Sequence, residues 1–338
     1  MLRFVVYYDY GKAVQRNMET SVAAGLRAVG EKAQLDAACK RLLSEREILA
    51  WIMKSCLEEY RDCGVKEIAE RYIEGTPQVG EEPVHPDEAP RIHGMSTEDS
   101  SIHEGTVVYD VRFTAMAPST GEPIRLIINL EAQNNYHPGY PIVMRALYYC
   151  CRLISSQYGR EFTHGRYDKI KKVYSIWICS EAPENRKNSI FRYRIAEDVF
   201  AGQTKEREPK KHYDVMTALI LCLGKPGDKK ENMALELLSS LLSEELSAEE
   251  KLKMLNEKFQ IPITQQLDKE VSLMCNLSQG IEKRGIEKGI EKGIEKGIRG
   301  AIDICRKLNL PEEEILRQIM QQYELSEDTA RDYLRKAK

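Results

Sequence analysis

The stretch LIINLEAQNNYHPGYP, residues 126–141, decides the fold that this sequence predicts. It begins with branched apolar side chains in an alternating pattern, which is typical of a buried strand. It then carries Glu131, Ala132 and Gln133, so a carboxylate and an amide lie two residues apart on one face of that strand. A proline-containing segment follows, after which a helix is predicted to about Tyr158.

A polar residue also interrupts the preceding strand. Residues 106–115 alternate in the same way and are joined to residues 124–133 by the turn-forming sequence MAPSTGEP. With the turn centred between residues 120 and 121, Asp110 lies directly opposite Glu131. Opposed side chains of an antiparallel pair have Cβ atoms about 4.5–5.5 Å apart. Two carboxylates at that distance need a shared proton, a basic partner or a divalent cation.

A divalent cation fits these residues best. Mg²⁺ prefers hard oxygen ligands and keeps part of its water shell. The carboxylates of Asp110 and Glu131, with the backbone carbonyl of Ala132 as a third ligand, form such a set. The alternative is an exposed hairpin face with ordinary surface carboxylates.

The bulk composition describes an ordinary globular protein. The chain has 338 residues, of which 42% are hydrophobic and 30% are charged, and its formal net charge is -3. This charge predicts that any nucleic-acid binding is local. Nine cysteines without a CxxC pair are typical of buried thiols in a reducing cytoplasm. No apolar run is long enough to span a membrane, and no secretory signal is recognised, so we expect a cytoplasmic protein without a membrane partner.

The order of predicted elements favours an α/β or α+β core followed by helices. The core begins with an amphipathic helix over residues 35–63. The expected division of the chain is an N-terminal arm of unassigned structure at 1–34, a core at 35–225 with a surface loop at 74–104, a helical extension at 226–279, a repeat helix at 280–305 and a helical hairpin at 306–338.

The repeat GIEKRGIEKGIEKGIEKGIRG has a period of four residues, which sets isoleucines and glycines on two neighbouring stripes of a helix. Each interior glycine costs about 0.8–1 kcal/mol relative to alanine, so this helix is marginal unless another surface packs on it. Two interpretations stay open. The repeat is either an oligomerisation segment or a low-complexity linker helix.

Asp110, the hairpin and the sequence Glu131-Ala132-Gln133 together resemble the site of the PD-(D/E)XK nuclease superfamily, with Gln133 where the usual lysine stands. Over about residues 35–300 the chain is similar to the PD-(D/E)XK family transposases, or recombination-promoting nucleases. The segments that carry this resemblance are CKRLLSEREILAWIMK, VVYDVRF, KKVYSIWIC and the glycine-isoleucine-glutamate-lysine tail. It implies a restriction-endonuclease-like core, a mixed central sheet flanked by helices, with an all-helical C-terminal extension.

The resemblance also implies a function. The protein would be a DNA endonuclease that uses Mg²⁺ or Mn²⁺ to hydrolyse phosphodiester bonds, linked to recombination or mobile elements. Asp110 and Glu131 would bind the metal with the help of the Ala132 carbonyl. Gln133 would orient the attacking water or contact the scissile phosphate, and Glu47 on the first helix would add an acid. An amide cannot carry the positive charge that a lysine brings to the transition state, so more of the catalysis would depend on the metal.

Basic and aromatic side chains around this site are the expected DNA contacts. Arg145 and Tyr149 are four residues apart and share one face of the helix after the hairpin. Lys169, Lys171 and Lys172 form a basic run. The alternative in each case is a solvated surface. A homo-oligomer is expected through the C-terminal helical region.

Two other functions stay open. One is a non-catalytic nucleic-acid-binding or oligomeric scaffold protein derived from the same fold. The other is an acid/base hydrolase such as a glycosidase, because carboxylates about 5 Å apart suit a retaining mechanism.

Overall fold

The computed structural model of this protein describes residues 21–79, 98–101, 105–108, 110–120, 123–131 and 139–337. Within residues 98–108 and most of 123–131 this description covers the backbone and not the side chains. The chain divides into two compact units, Ala33–Asn276 and Met1–Lys32 with Leu277–Lys338, and each is described by itself.

Helices come first in the described chain: α1 is Ser21–Leu43, α2 is Arg46–Cys56, and α3 is Val65–Glu67, which continues into a π-helical turn at Ile68–Tyr72. The single helix expected over residues 35–63 is therefore wrong, because the chain breaks between α1 and α2. The Ser44 hydroxyl donates a hydrogen bond to the Arg41 carbonyl at 2.7 Å, and Glu45 is extended with ψ at 129°. Such a local side-chain bond competes with the helical hydrogen bonds and favours a break.

Eight strands lie in the described residues: β1 Ile73–Val79, β2 Glu98–Ser101, β3 Gly105–Val108, β4 Val111–Met116, β5 Pro123–Glu131, β6 Val173–Cys179, β7 Ser189–Arg194 and β8 Met216–Cys222. Six of them form one mixed sheet in the order β1-β4-β5-β6-β8-β7. β4 is antiparallel to both β1 and β5, whereas β5, β6 and β8 are parallel, and β7 returns antiparallel to β8. Helix α4, Ile142–Ser155, lies between β5 and β6 in the chain, as a crossover between parallel strands requires.

The strand expected over residues 106–115 consists of two pieces. The first piece, β3, pairs with β2 in a separate two-stranded sheet, and the second, β4, pairs with β1 and β5 in the main sheet. Asp110 lies at a bend between them. The two pieces belong to different sheets, which an alternating pattern alone does not reveal.

The main sheet is covered on both faces. In β6, Tyr174, Ile176 and Ile178 belong to one hydrophobic core with α2, α5 and the helices that follow, where α5 is Met233–Leu241. Val173 and Trp177 point the other way, into a second core with α4. Burial on both faces explains why β6 and β8 are continuous apolar runs.

The rest of the chain is helical: α6 is Ala248–Glu257, α7 is Gln265–Lys307, α8 is Glu312–Tyr323 and α9 is Glu327–Lys336. The end of α7 packs with α8 and α9 around a third core, which contains Ile298, Ile319 and Leu334. Earlier in the repeat, Ile286 and Ile290 are exposed.

A mixed α/β fold with a C-terminal helical region is thus confirmed. The narrower assignment to a restriction-endonuclease-like core stays a prediction. Among the described residues, none of the helices is both long enough and apolar enough to cross a membrane.

Candidate functional site

The carboxyl ends of three parallel strands lie at one edge of the main sheet. Glu131 ends β5 and is in register with Cys179, which ends β6, and Cys179 pairs with Cys222 at the end of β8. In open α/β sheets, ligands bind outside this edge of the strands. The backbone position of Glu131 therefore agrees with a role in a binding site.

Asp110 reaches the same edge from the neighbouring antiparallel strand. Val111 at the start of β4 pairs with Ile128 of β5, and continuing this register by one residue sets Asn129 opposite Asp110. The expected direct pairing of Asp110 with Glu131 is wrong by two residues, because the hairpin loop is centred one residue earlier than the turn sequence predicted. A shift of two keeps both positions on the same face of the pleat, whereas a shift of one would separate them.

Lys40 on α1 forms an ion pair with Asp110. Its Nζ lies 3.0 Å from Oδ1 of Asp110 and 2.6 Å from Oδ2 of Asp36. The side chains of Lys40 and Asp110 are only 12% and 18% exposed. One ammonium group therefore balances two carboxylates, of which Asp110 is largely removed from the solvent and Asp36 is more exposed.

The charge state of Lys40 follows from these contacts. Burial alone would lower its pKa, but the attraction of Asp110 and the hydrogen bonds to Asp36 and Asp110 outweigh burial. The pKa of Lys40 is consequently raised above its ordinary value. The lysine is cationic at neutral pH and gives Asp110 a permanent counter-charge.

On α4, Arg145 is held by three aromatic side chains. Its guanidinium donates to the Tyr149 hydroxyl at 3.0 and 2.8 Å and to the Tyr140 hydroxyl at 3.0 Å. The guanidinium carbon also lies 5.2 Å from the ring centre of the buried Trp177, within cation–π range. These contacts fix the orientation of the guanidinium, in which each of the three nitrogens donates to a tyrosine hydroxyl.

Asp110 and this α4 cluster act on each other electrostatically. Burial raises the pKa of Tyr149, Arg145 opposes that rise, and the negative charge of Asp110 adds to it, so the net pKa is raised. Tyr149 therefore keeps its proton at neutral pH. Arg145 and Tyr149 lie on one face of α4, as expected. Tyr149 is buried, however, so it contributes its hydroxyl rather than an exposed ring.

The other predicted site residues are distributed as follows. Glu47 lies in the first turn of α2, where its charge acts on Glu45 together with that of Glu270. Ala132 and Gln133 lie outside the described residues. Over the part of the chain whose side chains are described, no group of three or more histidine, cysteine, aspartate or glutamate residues could hold a metal ion.

Lys172 belongs to an ion network at the opposite ends of the same strands. Its Nζ lies 2.8 Å from Glu59 and 2.7 Å from Asp214. Glu58 in turn binds Lys210 and Arg192. The cavity among these side chains has a volume of about 10 Å³, which is the size of one water molecule. The network therefore stabilises the fold and does not form a ligand pocket.

Lys169 and Lys171 lie on the segment between α4 and β6. Lys169 is exposed and lies 3.7 Å from Asp168, while the backbone N–H of Lys171 donates to the side chain of Gln157. Their role as DNA contacts stays a prediction.

Sequence reasoning missed Lys40. The spacing of Asp36 and Lys40 is visible as a helical pair four residues apart. Its contact with Asp110 is tertiary, because it depends on how α1 lies against the start of β4, and no local pattern signals it.

No protein-family model matches the sequence, and no match was found among curated proteins or solved structures. The chemistry of this edge of the sheet therefore rests on its own residues, which are a lysine-paired carboxylate, a second acid that ends β5, and an arginine fixed by aromatic rings.

Proposed function

We propose that this protein is a metal-dependent DNA endonuclease of the PD-(D/E)XK kind, acting in the cytoplasm in recombination or on mobile elements. One observation carries the proposal. A mostly buried aspartate, Asp110, lies at the edge where β5 ends in Glu131, and it interacts with the arginine-bearing helix that follows. The mixed sheet with helices on both faces agrees with the fold that the resemblance implies.

The donor set fits a hard divalent cation. Asp110, Glu131 and the Ala132 carbonyl would hold Mg²⁺ or Mn²⁺, since these ions prefer oxygen ligands. The bound ion would polarise the phosphate and lower the pKa of its water. Lys40 stands beside Asp110 Oδ1, so a cation at that oxygen would share or displace the ammonium.

The described side chains would prepare the substrate in three ways. Arg145 offers a fixed guanidinium to a backbone phosphate. Tyr149 holds that guanidinium and keeps its own proton. Lys40 brings a positive charge to the site, which is the charge that Gln133 cannot supply.

A second candidate is a non-catalytic nucleic-acid-binding protein built on the same fold. The Lys40–Asp110 ion pair favours it, because Asp110 already has a counter-charge and does not need a metal for balance. The glycosidase interpretation loses its basis, since Asp110 and Glu131 are not directly opposed in the sheet.

The deciding experiment is cleavage of supercoiled plasmid with Mg²⁺ or Mn²⁺. We expect the wild-type protein to nick the plasmid, and we expect Asp110→Asn, Glu131→Gln and EDTA each to abolish nicking. Asp303→Asn, which removes an exposed acid of α7, is the matched control and should cleave like the wild type.

Cleavage that persists in Asp110→Asn would refute the proposed site. If the wild-type protein cleaves neither plasmid, single-stranded DNA nor RNA, while all variants melt like the wild type, the non-catalytic candidate replaces the nuclease.

A further inference from the structure

A second surface, on the segment between α4 and β6, combines exposed aromatic rings with basic side chains. We define the aromatic–basic loop as residues 158–171. Its two tyrosines, Tyr158 and Tyr167, are 62% and 66% exposed, while Phe162 between them is buried. Exposed tyrosine rings offer a flat apolar face on which a second ring can stack.

The three rings form a continuous cluster. The ring centre of Phe162 lies 5.6 Å from that of Tyr158, nearly edge-to-face at 78°, and 5.7 Å from that of Tyr167. The buried ring of Phe162 thus packs against both tyrosine rings. The outer face of each tyrosine is left to the solvent.

The loop is held in one conformation. The side-chain amide of the buried Gln157 donates to the Lys171 carbonyl at 2.9 Å and accepts from the Lys171 N–H at 2.7 Å. Gly159, at φ +80°, folds the chain back so that its N–H donates to the Phe162 carbonyl at 2.8 Å. A platform fixed in advance loses less conformational entropy when it binds.

Positive charge surrounds the rings. Arg160, Arg166 and Lys169 line a shallow cavity of about 340 Å³ together with the acidic Glu161, Phe162 and Thr163. Asp168 partly offsets them through its contacts with Arg166 and Lys169. The loop contains four basic residues and two acidic ones, which leaves a net charge of +2 in a chain whose total is -3.

We infer that the aromatic–basic loop binds a single-stranded nucleic acid, with unpaired bases stacked on Tyr158 and Tyr167 and phosphates on Arg160, Arg166 and Lys169. Stacking on a ring needs a free base face, which a strand offers and a closed duplex does not. This inference goes beyond the proposed cleavage, because it concerns binding at a different part of the same unit.

The loop lies at the end of α4 that is remote from Arg145. Helix α4 has 14 residues and is therefore about 21 Å long. A single strand of several nucleotides could run from the loop to the edge of the sheet where Asp110 lies. The loop would then set which segment of a substrate is presented there.

The test is fluorescence anisotropy with a labelled oligothymidylate of about 12 nucleotides, and with a duplex of the same length, in EDTA so that no cleavage occurs. We expect the wild-type protein to bind the single strand more tightly than the duplex. Tyr158→Leu and Tyr167→Leu should each weaken single-strand binding at least about fivefold. Tyr158→Phe and Tyr167→Phe keep a ring and should bind like the wild type.

Phe200→Leu is the control, since Phe200 is an exposed aromatic residue (98%) outside the loop. The inference is overturned if the single strand does not bind, if the leucine variants bind it as tightly as the wild type, or if Phe200→Leu weakens binding equally. Because EDTA removes cleavage from the assay, a protein that binds but never cuts would refute the proposed activity and leave this inference standing.

Discussion

Asp110 and Lys40 form an ion pair in which both side chains are largely removed from water. Taking charges out of water costs free energy, and only close contacts with good geometry offset that cost. Here the ammonium has two carboxylate partners, at 3.0 Å and 2.6 Å, so its own charge is well balanced. Removal of the lysine takes this counter-charge from both carboxylates, of which Asp110 is the less exposed.

Lys40→Met should therefore destabilise the protein in EDTA by about 1.5–3 kcal/mol, the usual worth of a hydrogen bond to a charged group. Mn²⁺ should restore the loss, since the cation replaces the ammonium beside Asp110. The measurement is the melting temperature of wild type and variant with and without Mn²⁺.

The double variant Lys40→Met with Asp110→Asn is the control, and Mn²⁺ should not raise its melting temperature. If Mn²⁺ shifts the wild type and Lys40→Met equally, Asp110 does not bind the metal in the way we propose.

At the scale of elements, local patterns predict the central strands but not β1 and β2, which lie almost entirely within residues 74–104, where a surface loop was expected. The alternation of residues 124–133 and the apolar run at residues 172–180 correspond to β5 and β6 within a few residues. The hairpin register and the break in the first helix were not predictable in the same way. The register depends on where the six-residue loop closes, and the break lies at Ser44, whose hydroxyl bonds locally to the Arg41 carbonyl.

The ion network around Glu58 connects the turn after α2 with β7 and the segment before β8. Glu58 accepts a hydrogen bond from Lys210 at 2.8 Å and one from Arg192. Lys210 first, and Arg192 with it, lower the pKa of Glu58 to about 2 against the opposing effect of burial. A carboxylate whose folded-state pKa is depressed stabilises the protein above its unfolded pKa of about 4.5, and this stability is lost as the pH falls toward 2.

Glu58→Gln should accordingly lower the melting temperature near pH 7, and the difference from the wild type should shrink between about pH 4.5 and pH 2. The side chain is 35% exposed, so the effect should stay within the range of about 0.2–1 kcal/mol known for surface ion pairs. Glu257→Gln, at an exposed position of α6, controls for the loss of one charge. A difference that stays constant down to pH 2 would show that the network does not depend on the Glu58 charge.

At the scale of the whole molecule, each compact unit has its own hydrophobic core. In the unit Ala33–Asn276 the two cores lie on opposite faces of the sheet. In the other unit, the end of α7 packs with α8 and α9. The glycine stripe of the repeat in α7 is open, because among the described residues nothing lies within 4 Å of where a Cβ would stand at Gly285, Gly289 or Gly293.

Those three glycines lie beside the exposed Ile286 and Ile290, so we predict that copies of the chain associate through this stripe. The triple variant Gly285→Ala, Gly289→Ala, Gly293→Ala should be more helical, since each alanine favours the helix by about 0.8–1 kcal/mol. It should nevertheless assemble more weakly, because the added methyl groups keep two helices apart. Sedimentation equilibrium measures the assembly, and circular dichroism measures the helix.

The matched control is Glu287→Ala with Glu291→Ala, which lie about 180° around α7 from the glycine stripe. These substitutions also add alanines, so they should raise helicity slightly without changing the assembly. A wild-type protein that is monomeric, or a triple variant that assembles as well as the wild type, would instead identify the repeat as a linker helix whose glycines only reduce its stability. The combination of a more stable helix with a weaker assembly is the result that only a helix-to-helix contact between copies produces.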